Sequence, residues 1–494
     1  MAKTPLLLDI AVQPRRAAET LSDWLYGQLR AAILEGRLKP GTRLPSTRTL
    51  AAEHHVARGT VLGVFERLLA EGYLQSRVGA GSCVAAQLPE EGFQAKPERV
   101  KPATSPLPAR ISRRGMVLAE SPFAVSASGR KLRAFSANQP AVAEFPISVW
   151  SRLTSRRTRL VSRQMLQAGD AMGLRPLREA IVAHLGVTRG VVASADQVMI
   201  VSSTQQGLDL VARLVLDPGD QAWMEDPGYP GASNILRAAG VDVVPVPVDE
   251  RGLRVAEGLR RAPTARFAYV TPAHQFPLCV PLALERRLAL LSWSRENGVW
   301  IFEDDYDCEF RFSGRPLAAL QGLAPDGNVI FSGSFSKMLF PSLRMAFLVV
   351  PEHLVDALAA ARSLVDRYAR VVEQAVLCDF IEQGHFGQHL RRMRVLYGER
   401  LGVLREAAAS HWGNALRLAP TDTGLQTVGW LGPGWTDRGL AAAAAKAGIE
   451  IGPLSRFGIK WKQTNGVQIG FAAVAPPELR RAAALLGKIL RREA

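Results

Sequence analysis

The chain has 494 residues, 47% of them hydrophobic and 21% charged, which excludes a disordered or fibrous protein and leaves room for two or more domains with separate cores. No stretch approaches the ~20 apolar residues of a membrane span, and the apolar run Leu6–Leu8 is too short for a signal peptide and is broken by Asp9. The net charge is +16, and the four cysteines Cys83, Cys279, Cys308 and Cys378 lack metal-ligand spacing, so reduced thiols, no metal, no membrane and a cytoplasmic residence are expected.

The charge is uneven. Residues 1–86 carry 11 Lys or Arg against 7 Asp or Glu, and residues 87–135 carry 9 against 4, so the first 135 residues hold +9 of the +16. That concentration suits a module that binds a polyanion.

Between Leu21 and Gly36, the residues Leu21, Leu25, Leu29 and Ile33 recur at helical spacing, and Gly36 with Pro40-Gly41 ends the helix. Ser46 caps a second, short helix with Leu50 and Ala51 facing inward. A third runs from about Arg58 to Ala70 on Val61, Val64, Phe65 and Leu68. Tyr73 to Val84 then alternates through Gly79-Ala80-Gly81, a two-stranded wing with a glycine tip. Three helices and a hairpin make a winged helix-turn-helix over residues 14–86. Its third helix would bring Arg58 and Thr60 to base edges or phosphates of double-stranded DNA, while Arg43 and Arg48 touch the backbone, and Arg77 and the tip at Gly79 reach the minor groove or a flanking phosphate.

The stretches Arg37-Leu38-Lys39-Pro40-Gly41-Thr42-Arg43-Leu44-Pro45-Ser46, Arg58-Gly59-Thr60-Val61 and Glu71-Gly72-Tyr73-Leu74 resemble the DNA-binding domain of GntR-type bacterial regulators. The resemblance implies an operator-binding protein of the bacterial cytoplasm, associated with the nucleoid. Three positions depart from it: Ala57 where a Ser or Thr cap is usual, Gly59 in place of a commonly polar reader, and Gly63 inside the recognition helix.

From Gln87 to residue 134 the periodicity lapses and prolines recur at 89, 97, 102, 106, 108 and 122, which reads as a basic, semi-extended tether.

From about Phe135 to the end, residues 135–494, short apolar runs alternate with helical segments. Val198–Ser202, Gln221–Met224, Val241–Val246, Phe267–Thr271, Val299–Glu303, Val329–Ser332 and Phe347–Val350 read as buried strands of an α/β domain with a mainly parallel sheet. Ligands in such sheets gather at strand ends. There the sequence places Ser202-Ser203-Thr204-Gln205-Gln206-Gly207 at a helix start suited to phosphate, Tyr229, His274-Gln275-Phe276-Pro277, Asp304-Asp305-Tyr306-Asp307, and the loop Ser332-Gly333-Ser334-Phe335-Ser336-Lys337. A lysine beside hydroxyls and Arg344 is the combination pyridoxal phosphate (PLP) demands. Asp304 suits the pyridine nitrogen, and Tyr306 suits the phenolic oxygen.

This order of elements resembles the fold-type I aminotransferases, and its fusion to a GntR-type reader resembles the MocR/GabR group of regulators across nearly the whole chain. The resemblance implies that Lys337 forms the Schiff base with PLP, that Ser203, Thr204, Ser334, Ser336 and Arg344 hold the phosphate, and that Gln205 belongs to the cofactor site. Tyr229, His274, Asp304 and Tyr306 complete the cofactor site. The arginine that usually binds a substrate carboxylate is replaced by Gln468 in Val467-Gln468-Ile469-Gly470, with Arg456 as the nearest substitute.

The implied function is a homodimeric transcription regulator that senses a small amine, or PLP itself, through the Lys337 aldimine. The alternatives are a working aminotransferase with a fused DNA-binding domain, and a DNA-binding protein whose cofactor domain is vestigial.

Overall fold

The computed structural model describes residues 19–77, 81–89, 110–120, 132–160, 169–314, 317–460 and 465–491. The chain divides into two units, Met1–Ala109 and Arg110–Ala494.

In the first unit the helix Leu21–Leu34 starts at Thr20, whose hydroxyl accepts from the Asp23 amide at 3.1 Å. Ser46 caps Thr47–Glu53 in the same way through the Thr49 amide. The helix Arg58–Ala70 starts at Ala57 and has no side-chain cap. Leu25, Leu29 and Ile33 from the first helix meet Leu50 from the second and Val61, Val64 and Leu68 from the third in one buried core. Strands β1 (Leu74–Arg77) and β2 (Gly81–Val84) pair antiparallel, with Gln75 opposite Cys83. The chain before the second helix joins them: Leu44 N–H donates to Ser82 O, and Val84 N–H to Thr42 O, both at 2.9 Å. Gly79 at the expected wing tip, and the side chain of Arg77, lie outside the described residues.

The second unit begins with a helix, Arg113–Ala119, inside the stretch that composition reads as a tether. Ser112 caps it by accepting from Gly115 N–H at 3.0 Å, and Asn234 of the helix Pro230–Ala238 donates to Glu120 O. None of its residues is buried, so it carries no apolar stripe to announce it.

The central sheet contains β3 (Val198–Val201), β4 (Gln221–Asp226), β5 (Asp242–Asp249), β6 (Gly252–Leu253), β7 (Phe267–Val270), β8 (Trp300–Asp305), β9 (Val329–Ser334) and β10 (Ala346–Val349) in the order β3-β10-β9-β8-β7-β4-β5-β6. Strands β5, β4, β7, β8 and β9 run parallel in sequence across it. β10 is antiparallel to both β3 and β9, and β6 to β5. Alternate residues enter different cores: Val198 and Ile200 pack in one, Met199 and Val201 in another. The strands are therefore apolar on both faces, which is why they read as continuous runs.

A second, antiparallel sheet, β11 (Leu416–Leu418), β12 (Gln426–Leu431), β13 (Gly452–Pro453) and β14 (Gly466–Gly470), has the order β11-β12-β14-β13. Leu416, Val467 and Ile469 of this sheet share a core with Leu401 and Leu404 of the helix His385–His411 and with Leu479 and Leu486 of the helix Pro476–Leu490. Among the described residues no helix is long and apolar enough to cross a membrane.

Candidate functional site

The carboxyl ends of β3, β7, β8 and β9 open onto a cavity of about 530 Å³, in the size range of small-molecule sites. Six residues at or beyond the ends of β3 and β9 form one wall. Ser203 accepts from Gln206 N–H at 3.1 Å and caps the helix Thr204–Val215, whose first amides have no acceptor inside the helix. Thr204 and Gln205 line the cavity beside Ser203. Ser334 closes β9 and accepts from Ser336 N–H at 3.3 Å, and Arg344 enters the same wall from a left-handed backbone position with φ of 49°. Ser332 is fully buried behind this wall, and its hydroxyl donates to Thr204 Oγ1 at 3.2 Å. A helix start, hydroxyls and a guanidinium converge there as an anion site.

Lys337 sits in the single helical turn Phe335–Met338 and also lines the cavity. Its Nζ donates to Asn138 O at 2.7 Å. Burial depresses its basicity most, the carboxylates of Asp307 and Asp304 oppose that, and Arg344 adds to it, leaving a pKa of about 8.

Asp304 and Asp305 are the last two residues of β8 rather than the start of the following loop. Tyr269 of β7 pairs with Phe302, so Asp304, two residues further on, shares its face of the sheet. The Tyr269 hydroxyl donates to Asp304 Oδ2 at 2.6 Å, while Oδ1 is buried without a partner among the described residues. Burial pushes the Asp304 carboxyl up to about 7, with the hydrogen bond from Tyr269 working against the shift.

Tyr306 follows β8 and lines the cavity together with Tyr229 and Phe276. The Tyr229 and Tyr269 rings stack at 6.5 Å, and Phe276 meets Tyr229 edge-on at 5.7 Å. His274 does not reach the cavity, contrary to its expected place among the cofactor-binding residues. It lies behind Tyr306, stacked on that ring at 5.9 Å, with Nδ1 2.8 Å from Asp307 Oδ1. Burial acts against its charge, yet Asp307 and Cys279 hold its pKa well above the ordinary value. Gly424, with φ of +83°, closes over this pair; a Cβ there would stand 2.3 Å from His274 Cε1.

The far end of the cavity comes from the smaller sheet. Gln468 of β14 lines it, and so do Gly452, Ile451, Phe457, Glu450 and the exposed Arg456. Sequence reasoning selects Gln468 and Arg456 but misses Asn138, Tyr269 and Glu450. Tyr269 was discoverable, because it is a polar tip inside a buried apolar run.

In the first unit Arg43, Arg48 and Arg58 are exposed and Thr60 is partly so. No carboxylate among the described residues pairs with the three arginines. The Arg43 guanidinium lies against Gly81 at the start of β2, where a Cβ would be 3.5 Å from its Nε. Gly59 and Gly63 face open space.

A three-helix unit with a hairpin, and an aminotransferase-type sheet with its cavity at the strand ends, define a DNA-binding protein with an aminotransferase-like domain. Residues 21–84 match the gntR family of bacterial regulatory proteins, and residues 131–486 match aminotransferase class I and II. The chain is 41% identical over 456 residues to the probable rhizopine catabolism regulatory protein MocR of Rhizobium meliloti, covering 92% of this chain and 91% of that one. It is 32% identical to the HTH-type transcriptional regulator TauR of Rhodobacter capsulatus, over 96% of this chain and 97% of the relative. A kynurenine aminotransferase of Pyrococcus horikoshii, crystallised with PMP, superposes with a TM-score of 0.68 at 25% identity, over 74% of this chain and 92% of that one. The chain belongs to the MocR-type group of GntR-family transcription regulators. Its GntR domain implies DNA binding.

Proposed function

We propose that this regulator binds PLP in the strand-end cavity through Lys337, and that a small primary amine entering the same cavity, or PLP itself, sets its affinity for operator DNA. The observation that carries this reading is the unpartnered, buried Oδ1 of Asp304, in the wall that also holds Lys337. A buried carboxylate oxygen without a donor is costly, and a protonated pyridine nitrogen is a donor of matching charge.

The other residues fit the same group. Lys337, with its pKa near 8, is neutral often enough near pH 7 to act as a nucleophile. The Ser203–Gln205 helix start with Ser334, Ser336 and Arg344 suits a phosphate, Tyr306 suits a phenolic oxygen, and Tyr229 offers its ring. When bound, PLP supplies a carbonyl carbon that one primary amine can take over from another without net oxidation or reduction.

The consequence for regulation is thermodynamic. An amine changes operator affinity only by as much as it favours one state of the protein over another, so tight binding alone shifts nothing. Arg43, Arg48, Arg58 and Thr60 are the residues offered to DNA, and the active species is a homodimer, the state in which fold-type I sites are usually built.

The test is an absorbance titration of the purified, PLP-loaded protein with a panel of amines, run beside operator binding. The reading requires an amine, or PLP itself, that changes both. Sustained formation of glutamate from amino donors and 2-oxoglutarate would instead make the protein an aminotransferase.

A further inference from the structure

Gln468 lies on β14 opposite Gly452 on one side and Val428 on the other. It is 3% exposed, and its Nε2 has no hydrogen-bond partner among the described residues. Opposite it, Gly452 offers no side chain: a Cβ there would come within 3.3 Å of Gln468 Oε1. The amide is thus held in the cavity wall with a buried donor for which the described residues supply no acceptor, and an occupant of the cavity would supply one.

We propose that Gln468 reads the effector, and that the effector is a primary amine whose far end carries a neutral oxygen acceptor, a hydroxyl or ether, and no carboxylate. The inference rests on the amine-sensing reading above and names the class of amine.

Charge decides between the two kinds of oxygen. A carboxylate moved into a cavity wall loses its hydration and needs a facing cation to compensate, which a neutral amide cannot provide. Glu450, which accepts from the Ser136 hydroxyl at 3.0 Å, lines the same cavity and adds a negative charge to it. Arg456 is the cation at that end, but its guanidinium lies over the Phe457 ring at 4.9 Å and the residue is exposed, so solvent screens it. Phe276, Phe457 and Ile451 make the remaining surface there apolar. A carbon skeleton with one neutral oxygen satisfies Nε2 and leaves no charge stranded.

The experiment titrates the full-length, PLP-loaded protein spectrally with three amines of equal chain length: 3-aminopropan-1-ol, propylamine and β-alanine. For the unmodified protein, 3-aminopropan-1-ol is expected to bind about tenfold more tightly than propylamine, the worth of one well-placed buried hydrogen bond, with β-alanine weakest. Gln468→Leu keeps the bulk and removes the donor, so the alcohol's advantage disappears. Gln468→Arg reverses the order in favour of β-alanine. Melting curves and the cofactor band report whether each variant is folded and loaded.

The proposal is overturned if β-alanine binds best to the unmodified protein, above all if Arg456→Gln abolishes that binding, or if the alcohol's advantage survives in Gln468→Leu. If no amine perturbs the cofactor band, the amine-sensing reading falls and this proposal with it. If the amines bind without discrimination, only this proposal falls.

Discussion

The Tyr269 hydroxyl donates to one oxygen of Asp304 at 2.6 Å and leaves the other buried without a donor. The pairing arises from strand register: Tyr269 lies opposite Phe302, and Asp304 follows two residues later on the same face. One carboxylate oxygen is fixed by the fold, and the second has no donor among the described residues. Burial also pushes the carboxyls of Glu225 and Glu303 up to about 7, whereas Asp307 and Cys279 hold the buried His274 well above its ordinary pKa.

Asp304→Asn separates the two roles. The amide oxygen still accepts from Tyr269, but the charge that would meet a pyridinium is gone, so PLP affinity should fall roughly 10- to 100-fold by equilibrium dialysis. The cofactor-free protein should respond in the opposite sense. Because Asp304 has a pKa of about 7 in the fold, above the ordinary aspartate value of about 3.9 that it regains on unfolding, the wild type loses stability as pH rises between those values. The melting temperature of Asp304→Asn should gain on the wild type from about pH 4 to pH 7, and then level off. A constant gap across that range would show that Asp304 is not the titrating group.

Lys337 gives a kinetic prediction. With a pKa of about 8 instead of 10.5, roughly one molecule in ten carries a neutral amine at pH 7. The rate of PLP capture should therefore climb about tenfold from pH 6 to pH 7 and flatten above pH 8, as followed by stopped-flow absorbance. Lys337→Ala should bind PLP without the covalent absorbance change. A rate still rising steeply at pH 9 would mean that the lysine is not depressed.

Much of this was legible because the signals were local. Ser46 and the Val61, Val64, Leu68 stripe marked the helices of the first unit, and the apolar runs ending in Ser202, Glu303 and Ser332 marked the buried strands. What escaped had weaker local signals. β13 is two residues long and ends in Pro453, and β11 is three, so neither gave a run to detect; β12 is interrupted by Gly429 and β14 is bounded by Gly466 and Gly470, although Gln468 within it was singled out by its chemistry. Asn138 contributes a backbone carbonyl to Lys337 from 199 positions away, which no side-chain pattern encodes. His274 was drawn toward the cavity by its neighbours in sequence, but Asp307 offers a charged partner one layer deeper.

At the DNA face, Arg58 is the first residue of an uncapped helix and has no carboxylate partner among the described residues. Arg58→Ala should lower operator affinity. If the residue contacts phosphate, the slope of log affinity against log salt should fall by about one unit with little change in sequence preference; if it reads a base, preference at one position should relax instead. Fluorescence anisotropy at several salt concentrations separates these cases. Unchanged affinity and slope would remove Arg58 from the interface.

The oligomeric state is open to a direct measurement. The PLP-loaded protein should sediment as a homodimer at micromolar concentration, and a monomer with a fully occupied cofactor site would contradict the proposed assembly.

Gly63 separates folding from recognition most cleanly. It lies within the helix Arg58–Ala70, where an interior glycine costs about 1 kcal/mol relative to alanine, and a Cβ there meets nothing within 4 Å. Gly63→Ala should therefore stabilise the first unit by up to about 1 kcal/mol in denaturant unfolding. Its effect on operator binding shows what the glycine does in the complex. If Gly63 only weakens the helix, the more stable variant binds DNA equally well or better; if the bare backbone of Gly59 and Gly63 lets the helix approach the groove closely, affinity falls while stability rises. Opposite movement of the two quantities cannot come from misfolding, so melting and binding curves measured on the same sample decide the matter.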